Sequence, residues 1–445
     1  MHLDESLAQV AAFGHPESFT QIREAIDAEW IEAALQATGT ATLRRRRLPA
    51  DQVIWLIIGM ALYRDRSIVE VASKLDLALP GVRPCAAPSS VSEAKARLGK
   101  EPMEWLFTHS ARAWSRQSTE RHRWRGLSLY SLDGTSMRTP DSASNRRHFG
   151  GHSGGSGRGE SGYPLLRMVA LMALRSHLIE AVRFGPFAID ERRYARELIP
   201  LVPESSLLIL DRNFFSAALL TSLRAAERRH WLIRAKHNTR WKVLEELGPG
   251  DARVEVTVSD KARQRDPTLP RTFQARFVAY QREGYAPQRL LTSLLDPVAY
   301  PAAEVAALYH ERWEIELGYD ELKTELLEQA ETLRSQTPVA VTQEVWGLLL
   351  AYNLIRREME AIAAEAEVEP IRISFVAAMR MIRDEWLWCA VATPGAIPRH
   401  LKRLRQDLLH FILPQRRTTR VYQRAVKRKM SHFPRKRPLS PPPTP

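Results

Sequence analysis

Two aspartates and one glutamate, far apart in the chain, have the settings that metal-assisted phosphodiester chemistry needs. Asp133 directly follows the alternating run Leu127-Ser-Leu-Tyr-Ser-Leu132, and Asp211 directly follows Ser206-Leu-Leu-Ile-Leu210. A carboxylate at the end of a buried strand sits at the sheet rim, where solvent and a metal ion reach it. One such aspartate commonly caps a turn, and two on separate strands raise the prospect of a shared site only modestly. Glu316 lies in a segment spaced Tyr309-x2-Arg312-x3-Glu316-x6-Lys323. On a uniform helix, at about 100° per residue, these four side chains fall within an arc of about 60°. Glu316 could then complete a three-carboxylate set, with Arg312 and Lys323 beside it to bind phosphates. Mg2+ takes oxygen ligands and keeps some waters, so two or three carboxylates suffice. Two such ions about 3.5–4 Å apart activate the attacking oxygen and stabilise the leaving one. The same spacing also suits a solvated, ion-paired helix face. Asp320 and Trp313 fall close to the stripe too, so spacing alone does not select Glu316.

These residues need a sheet and a helix to position them, and the sequence supplies both. Residues 1–120 read as a helical N-terminal domain, with apolar periodicity near 18–38, 49–62, 67–75, 90–98 and 102–116. From Gly126 the pattern becomes strand, strand, strand, helix, strand, helix, strand up to residue 237, a mixed α/β arrangement. Residues 238–300 alternate at period two and read as an antiparallel β insertion. A helix is expected over 302–327, behind Pro301 at a helix-start position. The core therefore comprises 121–237 and 301–330, and 331–412 forms a helical C-terminal region. The stretch 413–445 reads as a basic, proline-rich, disordered tail.

Composition narrows the partners. The 445 residues carry a net charge of +14, with 44% hydrophobic and 26% charged residues, as in a soluble globular protein that binds a polyanion. The excess is concentrated between Arg399 and Arg437, where fourteen Lys or Arg stand against Asp407 alone. That tail could add salt-dependent DNA affinity, or be a frayed solvated end. The only cysteines, Cys85 and Cys389, have no ligand spacing, which disfavours a disulfide framework or a zinc site. No signal peptide or membrane-crossing run is evident, so the expected location is cytoplasmic and nucleoid-associated, with no membrane partner. The seven glycines between Gly150 and Gly162 lack the Gly-Lys-Ser/Thr of a P-loop. His310-Glu311 does not open a zinc-protease motif, because position 314 is Glu.

Three segments resemble the DDE transposases of the insertion-sequence-four type. They are Leu132-Asp-Gly-Thr135, Leu210-Asp-Arg-Asn-Phe-Phe-Ser216, and Tyr309 to Lys323, which keeps that family's Y-R-E-K spacing. The likeness covers roughly 15–390. It implies an RNase H-like α/β core with flanking helices and a β insertion, and catalytic metal ligands at Asp133, Asp211 and Glu316. It implies that Tyr309, Arg312 and Lys323 hold phosphates of the transposon end. It further implies two Mg2+ ions, with Mn2+ able to substitute. The partners would be double-stranded DNA at terminal inverted repeats and target sites, bound by a homodimer. The reaction would be cut-and-paste transposition: strand cleavage, a hairpin intermediate and 3′-OH joining.

Further DNA contacts are expected at Arg212, Asn213, Lys236 and His237, which are equally suited to ordinary loop roles. Some relatives stack a Trp of the β insertion on a flipped base, but no Trp lies between Lys242 and Glu311. Phe273, Phe277, Tyr280 and Tyr285 remain; Tyr285, beside Gly284 in an expected hairpin turn, is the candidate, set against an ordinary buried or surface aromatic. Two other functions stay open: an inactive or repurposed DNA-binding relative, and a nuclease that only hydrolyses.

Overall fold

The computed structural model describes residues 26–40, 48–74, 88–151, 162–224, 228–281, 287–327, 332–389 and 397–414. Tyr285, the run Arg44–Arg47, most of the glycine-rich loop and the tail from 415 lie outside the described residues. Among the described residues five helices come first: α1 (Ala28–Ala37), α2 (Ala50–Leu62), α3 (Ile68–Lys74), α4 (Pro88–Leu98) and α5 (Glu101–Arg121). Helix α5 begins with Pro102 in its first turn, carries Glu101 and Glu104 there, and ends on Arg121. Each suits its end of the helix dipole. Helix α2 is apolar nearly all round, from Val53 to Leu62. Such a helix must be buried on every side, and α1, α3, α4 and the long helix described below pack around it.

The sheet follows. Its elements are β1 (Ser128–Arg138), α6 (Ala143–Phe149), β2 (Leu165–Ala173), β3 (Ile179–Pro186), α7 (Glu191–Leu198), β4 (Ser206–Leu210), α8 (Ala217–Arg224) and β5 (Arg229–Arg234). Next come β6 (Trp241–Gly248), β7 (Asp251–Thr257), α9 (Asp260–Arg265), β8 (Thr272–Tyr280) and β9 (Gln288–Thr292). Among the described residues nine strands make one sheet, in the order β3-β2-β1-β4-β5-β9-β8-β7-β6. Strands β1 to β3 pair antiparallel, while β1, β4 and β5 run parallel. This is an RNase H-like core. The expected β insertion is present, with one strand more than the alternation revealed. β6 was missed because Lys242-Val-Leu-Glu-Glu246 lies exposed on the sheet edge and has no apolar face to alternate. The insertion also continues the core sheet, through antiparallel pairing of β5 with β9.

The segment expected as one helix over 302–327 is divided. α10 (Ala302–Leu308) leads into a 3-10 turn, Tyr309–Arg312, then α11 (Trp313–Asp320), then a π-helical turn, Glu321–Leu326. The chain continues with α12 (Pro338–Glu365), α13 (Phe375–Cys389) and α14 (Ile397–Leu408). α12 is the long helix that covers α2. Residues of α1 to α5, α12 and one face of β2 share a single apolar cluster, so N-terminal and C-terminal helices pack on one side of the sheet. A second cluster lies beneath α7 and α8 on the opposite face, around Trp231. Among the described residues no helix is long and apolar enough to cross a membrane.

Candidate active site

Asp133 and Asp211 stand on adjacent strands. The parallel register pairs Leu132 with Leu210 as its last step. Each aspartate is the next residue, and neighbouring strands lie about 4.8 Å apart. Contrary to expectation, Asp133 does not end its strand: β1 runs on to Arg138, paired with β2 alone. What ends at Leu132 is the pairing with β4, and that opens the sheet beside Asp133. Alternation sets the face. Leu129, Leu207 and Ile209 pack beneath Val305, Leu308 and Tyr309. Asp133 and Asp211, an even number of steps further along, emerge on that same face. Asp133 accepts the Gly134 N–H at 2.8 Å, and Asp211 accepts the Asn213 N–H at 3.1 Å.

The irregular helix brings the rest of the signature to this face. In a 3-10 turn, residues i and i+3 eclipse, so Tyr309 and Arg312 project in the same direction. Arg312 then meets Glu316, one α-turn later, at 2.9 Å. Across the π turn, the Lys323 ammonium lies 3.4 Å from the Thr135 hydroxyl, two residues beyond Asp133. The tight and wide turns, in place of the uniform helix that the spacing suggested, set the directions of these residues. Asp320, which spacing could not separate from Glu316, is exposed.

The charges at this site affect one another. Burial pushes the Asp133 carboxyl up to about 6; Gly134 and Arg312 oppose the shift, and Glu316 and Asp211 add to it. The three carboxylates therefore share one electrostatic site. Burial also raises the Tyr309 phenol to about 12. For Arg312, burial works against the charge, but Tyr309, Glu316 and Asp211 outweigh it and hold the pKa above its usual value. The buried Arg312 Nε has no hydrogen-bond partner. An unmet buried donor is costly, and a phosphate oxygen would satisfy it.

The donor set fits a hard divalent ion. All three candidate ligands are carboxylates, and the half-buried Asp133 lies in the field of the Arg312 guanidinium. The cage is not closed, however. Among the described residues no three acidic, His or Cys side chains stand close enough to hold one ion, and Glu316 is engaged with Arg312.

Tyr319, Gly318 and a buried ionic cluster fix the helix against the sheet; sequence reading missed all three. The Tyr319 hydroxyl donates to the Asp133 carbonyl and accepts the Ala170 N–H. A Cβ on Gly318 would lie 2.5 Å from Met172 Cε and 3.2 Å from the Tyr352 hydroxyl. Behind the helix, His177 meets Glu314 at 3.0 Å and Glu321 at 3.3 Å, and Arg356 also pairs with Glu321. Each of these side chains resembles an ordinary core or surface residue when read along the chain alone. Only the spacing of Gly318-Tyr319 directly after the Glu316 turn offered a signal.

The remaining expected contacts are distributed nearby. Arg212 and Asn213 are exposed on the turn after Asp211. The Lys236 ammonium donates to the Phe215 carbonyl at 2.9 Å. Burial, then Arg192 and Arg212, lower its pKa. His237 is exposed, and its carbonyl accepts from Arg289. The β insertion does hold one tryptophan, Trp241 at the start of β6, one residue before the stretch without Trp; it packs against Phe277 and Arg289.

Known families and proteins resemble this chain over most of its length. The family described as "Insertion element 4 transposase N-terminal" matches residues 16–108, and "Transposase DDE domain" matches residues 124–354. The chain is 36% identical over 439 residues to "Transposase InsG for insertion sequence element IS4" of Escherichia coli (strain K12), covering 98% of each. Among solved structures, a piggyBac transposase synaptic complex with hairpin DNA aligns over 93% of this chain and 86% of its own, with 10% identity and a TM-score of 0.41.

Proposed function

This chain belongs to the insertion-element-4 family of DDE transposases, enzymes that cleave DNA and transfer strands, and we propose that Asp133, Asp211 and Glu316 are its catalytic carboxylates. The observation that carries this reading is the placement of Asp133 and Asp211 one step past the last parallel β1–β4 pair, within electrostatic reach of Glu316. These three residues would hold two divalent ions, Mg2+ or Mn2+ in its place. Such ions, when bound, supply Lewis-acid activation of the attacking oxygen and neutralise charge on the leaving one.

The chain's own residues do the rest. Tyr309, Arg312 and Lys323 grip phosphates of the transposon end. A phosphate oxygen that takes the Arg312 guanidinium releases Glu316 from its ion pair. Substrate arrival thus frees Glu316 to turn toward Asp133 and Asp211. Tyr319 and the His177–Glu314–Glu321–Arg356 cluster keep the helix in place while this happens.

The reaction proposed is cut-and-paste transposition: cleavage at terminal inverted repeats, a hairpin on the transposon end, and joining of the 3′-OH to target DNA. The working form is a homodimer on paired ends, acting on chromosomal DNA in the cytoplasm. Helices before residue 120 engage the ends, with Arg212, Asn213, His237 and Tyr285 as further contacts and residues 331–412 available for dimerisation. The test is a plasmid carrying both element ends, incubated with Mg2+ and the wild-type chain or Glu316→Gln. The reading expects excised, hairpin-ended and joined products from wild type, and bound but uncut ends from the variant. Cleavage by Glu316→Gln at the wild-type rate would refute it.

A further inference from the structure

The end of the sheet away from the two aspartates holds a basic pocket. A cavity of about 470 Å3 lies between the second half of α5, the first residues of β1 and β5, and the turn that follows α7. Ser128 opens β1 and lines this cavity, and Asp133 comes five residues later on the same strand. Five steps of extended chain span about 16–17 Å. The pocket is therefore separate from the carboxylates and opens at the opposite end of the strands.

Four arginines line it: Arg112, Arg116, Arg123 and Arg229. Two are already paired, Arg116 with the buried Glu180 at 3.3 Å and Arg123 with Glu120 at 3.2 Å. Arg112, from the helix, and Arg229, from the strand, are different. Both are half-buried, and among the described residues neither guanidinium makes a hydrogen bond or ion pair. The Arg229 Nε is fully buried without a partner. A buried donor left unmet is costly. Against these two cations, Glu204 is the lining carboxylate outside an ion pair, and it is exposed.

The shape and charge together define a ligand. The cavity has the size of a small-molecule site, and a DNA duplex is too wide to enter it. Two unmet guanidinium groups on separate elements call for a group carrying about two negative charges. A phosphate monoester carries about −1.5 to −2 near neutral pH, and its oxygens match the planar guanidinium fork. The turn Pro200-Leu-Val-Pro203 lines the cavity too and offers apolar surface to the rest of such a ligand.

We propose that this pocket is a second ligand site, which binds a small phosphate monoester of nucleotide size. Arg112 and Arg229 hold the phosphate, and the Pro200–Pro203 turn packs against the remainder. The proposal does not rest on the catalytic reading of Asp133, Asp211 and Glu316. Because α5 and the core sheet both contribute, a bound ligand ties the N-terminal helices to the core.

The test titrates the full chain, free of DNA, with AMP, inorganic phosphate and adenosine in a calorimeter. AMP should bind once per chain and raise the melting temperature. Inorganic phosphate should bind more weakly and compete with AMP, and adenosine should not bind. Arg112→Gln and Arg229→Gln should each weaken AMP binding by about tenfold or more. If Arg229→Gln does not fold, Arg112→Gln carries the test. Three results would each overturn the proposal: no saturable binding of AMP or phosphate at millimolar concentration, adenosine binding as tight as AMP, or unchanged AMP affinity in the folded variants. One-to-one displacement of AMP by a duplex of the element's end would also overturn it, and would make the pocket a DNA contact.

Discussion

The Tyr319 hydroxyl donates to the backbone carbonyl of Asp133 at 2.7 Å and accepts the Ala170 N–H at 3.1 Å. Asp133 and Ala170 face each other across β1 and β2, and Glu316 stands one turn before Tyr319 on α11. One hydroxyl therefore couples the strand that carries the first aspartate to the helix that carries the glutamate. Tyr319→Phe keeps the ring and removes this link, at a cost of about 1–3 kcal/mol for the groups left unmatched. The expected result is a fall of at least about tenfold in single-turnover cleavage, with end affinity unchanged. Cleavage at the wild-type rate by the folded variant would reduce Tyr319 to a packing residue.

The Arg312 guanidinium has one arm on Glu316 and a buried Nε with no partner. Arg312→Ala should weaken assembly on the transposon end by about tenfold or more, because charged hydrogen bonds to phosphate contribute about 1.5–3 kcal/mol. Gel-shift titration measures this. Equal complex formation by variant and wild type would count against a phosphate role.

Asp133 also makes a prediction about stability. Its folded carboxyl titrates near 6 against an ordinary 3.8, chiefly because of burial. Folding therefore favours the protonated form. Stability from this source is present below the ordinary value, declines as pH rises through the interval, and is lost above it. Asp133→Asn removes the charge. The metal-free variant should be more stable than wild type near neutral pH by about 1–3 kcal/mol, and the gain should vanish in acid. Melting curves in chelator at both pH values measure it; a destabilised variant near neutrality contradicts the account.

Glu321 is the opposite case. Burial alone would raise its pKa, but Arg356 and His177 outweigh burial and hold it down to about 2. The stabilisation is present above the ordinary glutamate value and is lost as pH falls toward 2. Arg356→Met would strand Glu321 as a buried charge, a loss of about 3–5 kcal/mol. Thermal denaturation should show the deficit near neutral pH and its narrowing as acid protonates Glu321. A variant as stable as wild type would show that the cluster does not hold the helix.

Much of this was legible along the chain. The strand before Asp211 and the helices from 338 onward are set by local apolar pattern and turn residues, and they appear where the pattern puts them. The carboxylates and cations of the site could be named because their types and spacing carry the chemistry. What periodicity cannot show is register. It does not reveal that β1 continues past Asp133 while its pairing with β4 stops. The 3-10 and π turns around Glu316 are also hidden, because the spacing of the residues fits a uniform helix equally well. β6 escaped notice because an exposed edge strand imposes no alternation.

The most direct test of the central claim counts metal ions. Electron paramagnetic resonance of Mn2+ added to the chain bound to its end duplex reports ions held by the protein. The account predicts two ions for wild type. It predicts reduced occupancy for each of Asp133→Asn, Asp211→Asn and Glu316→Gln, with duplex binding retained. Full occupancy in all three variants would contradict it.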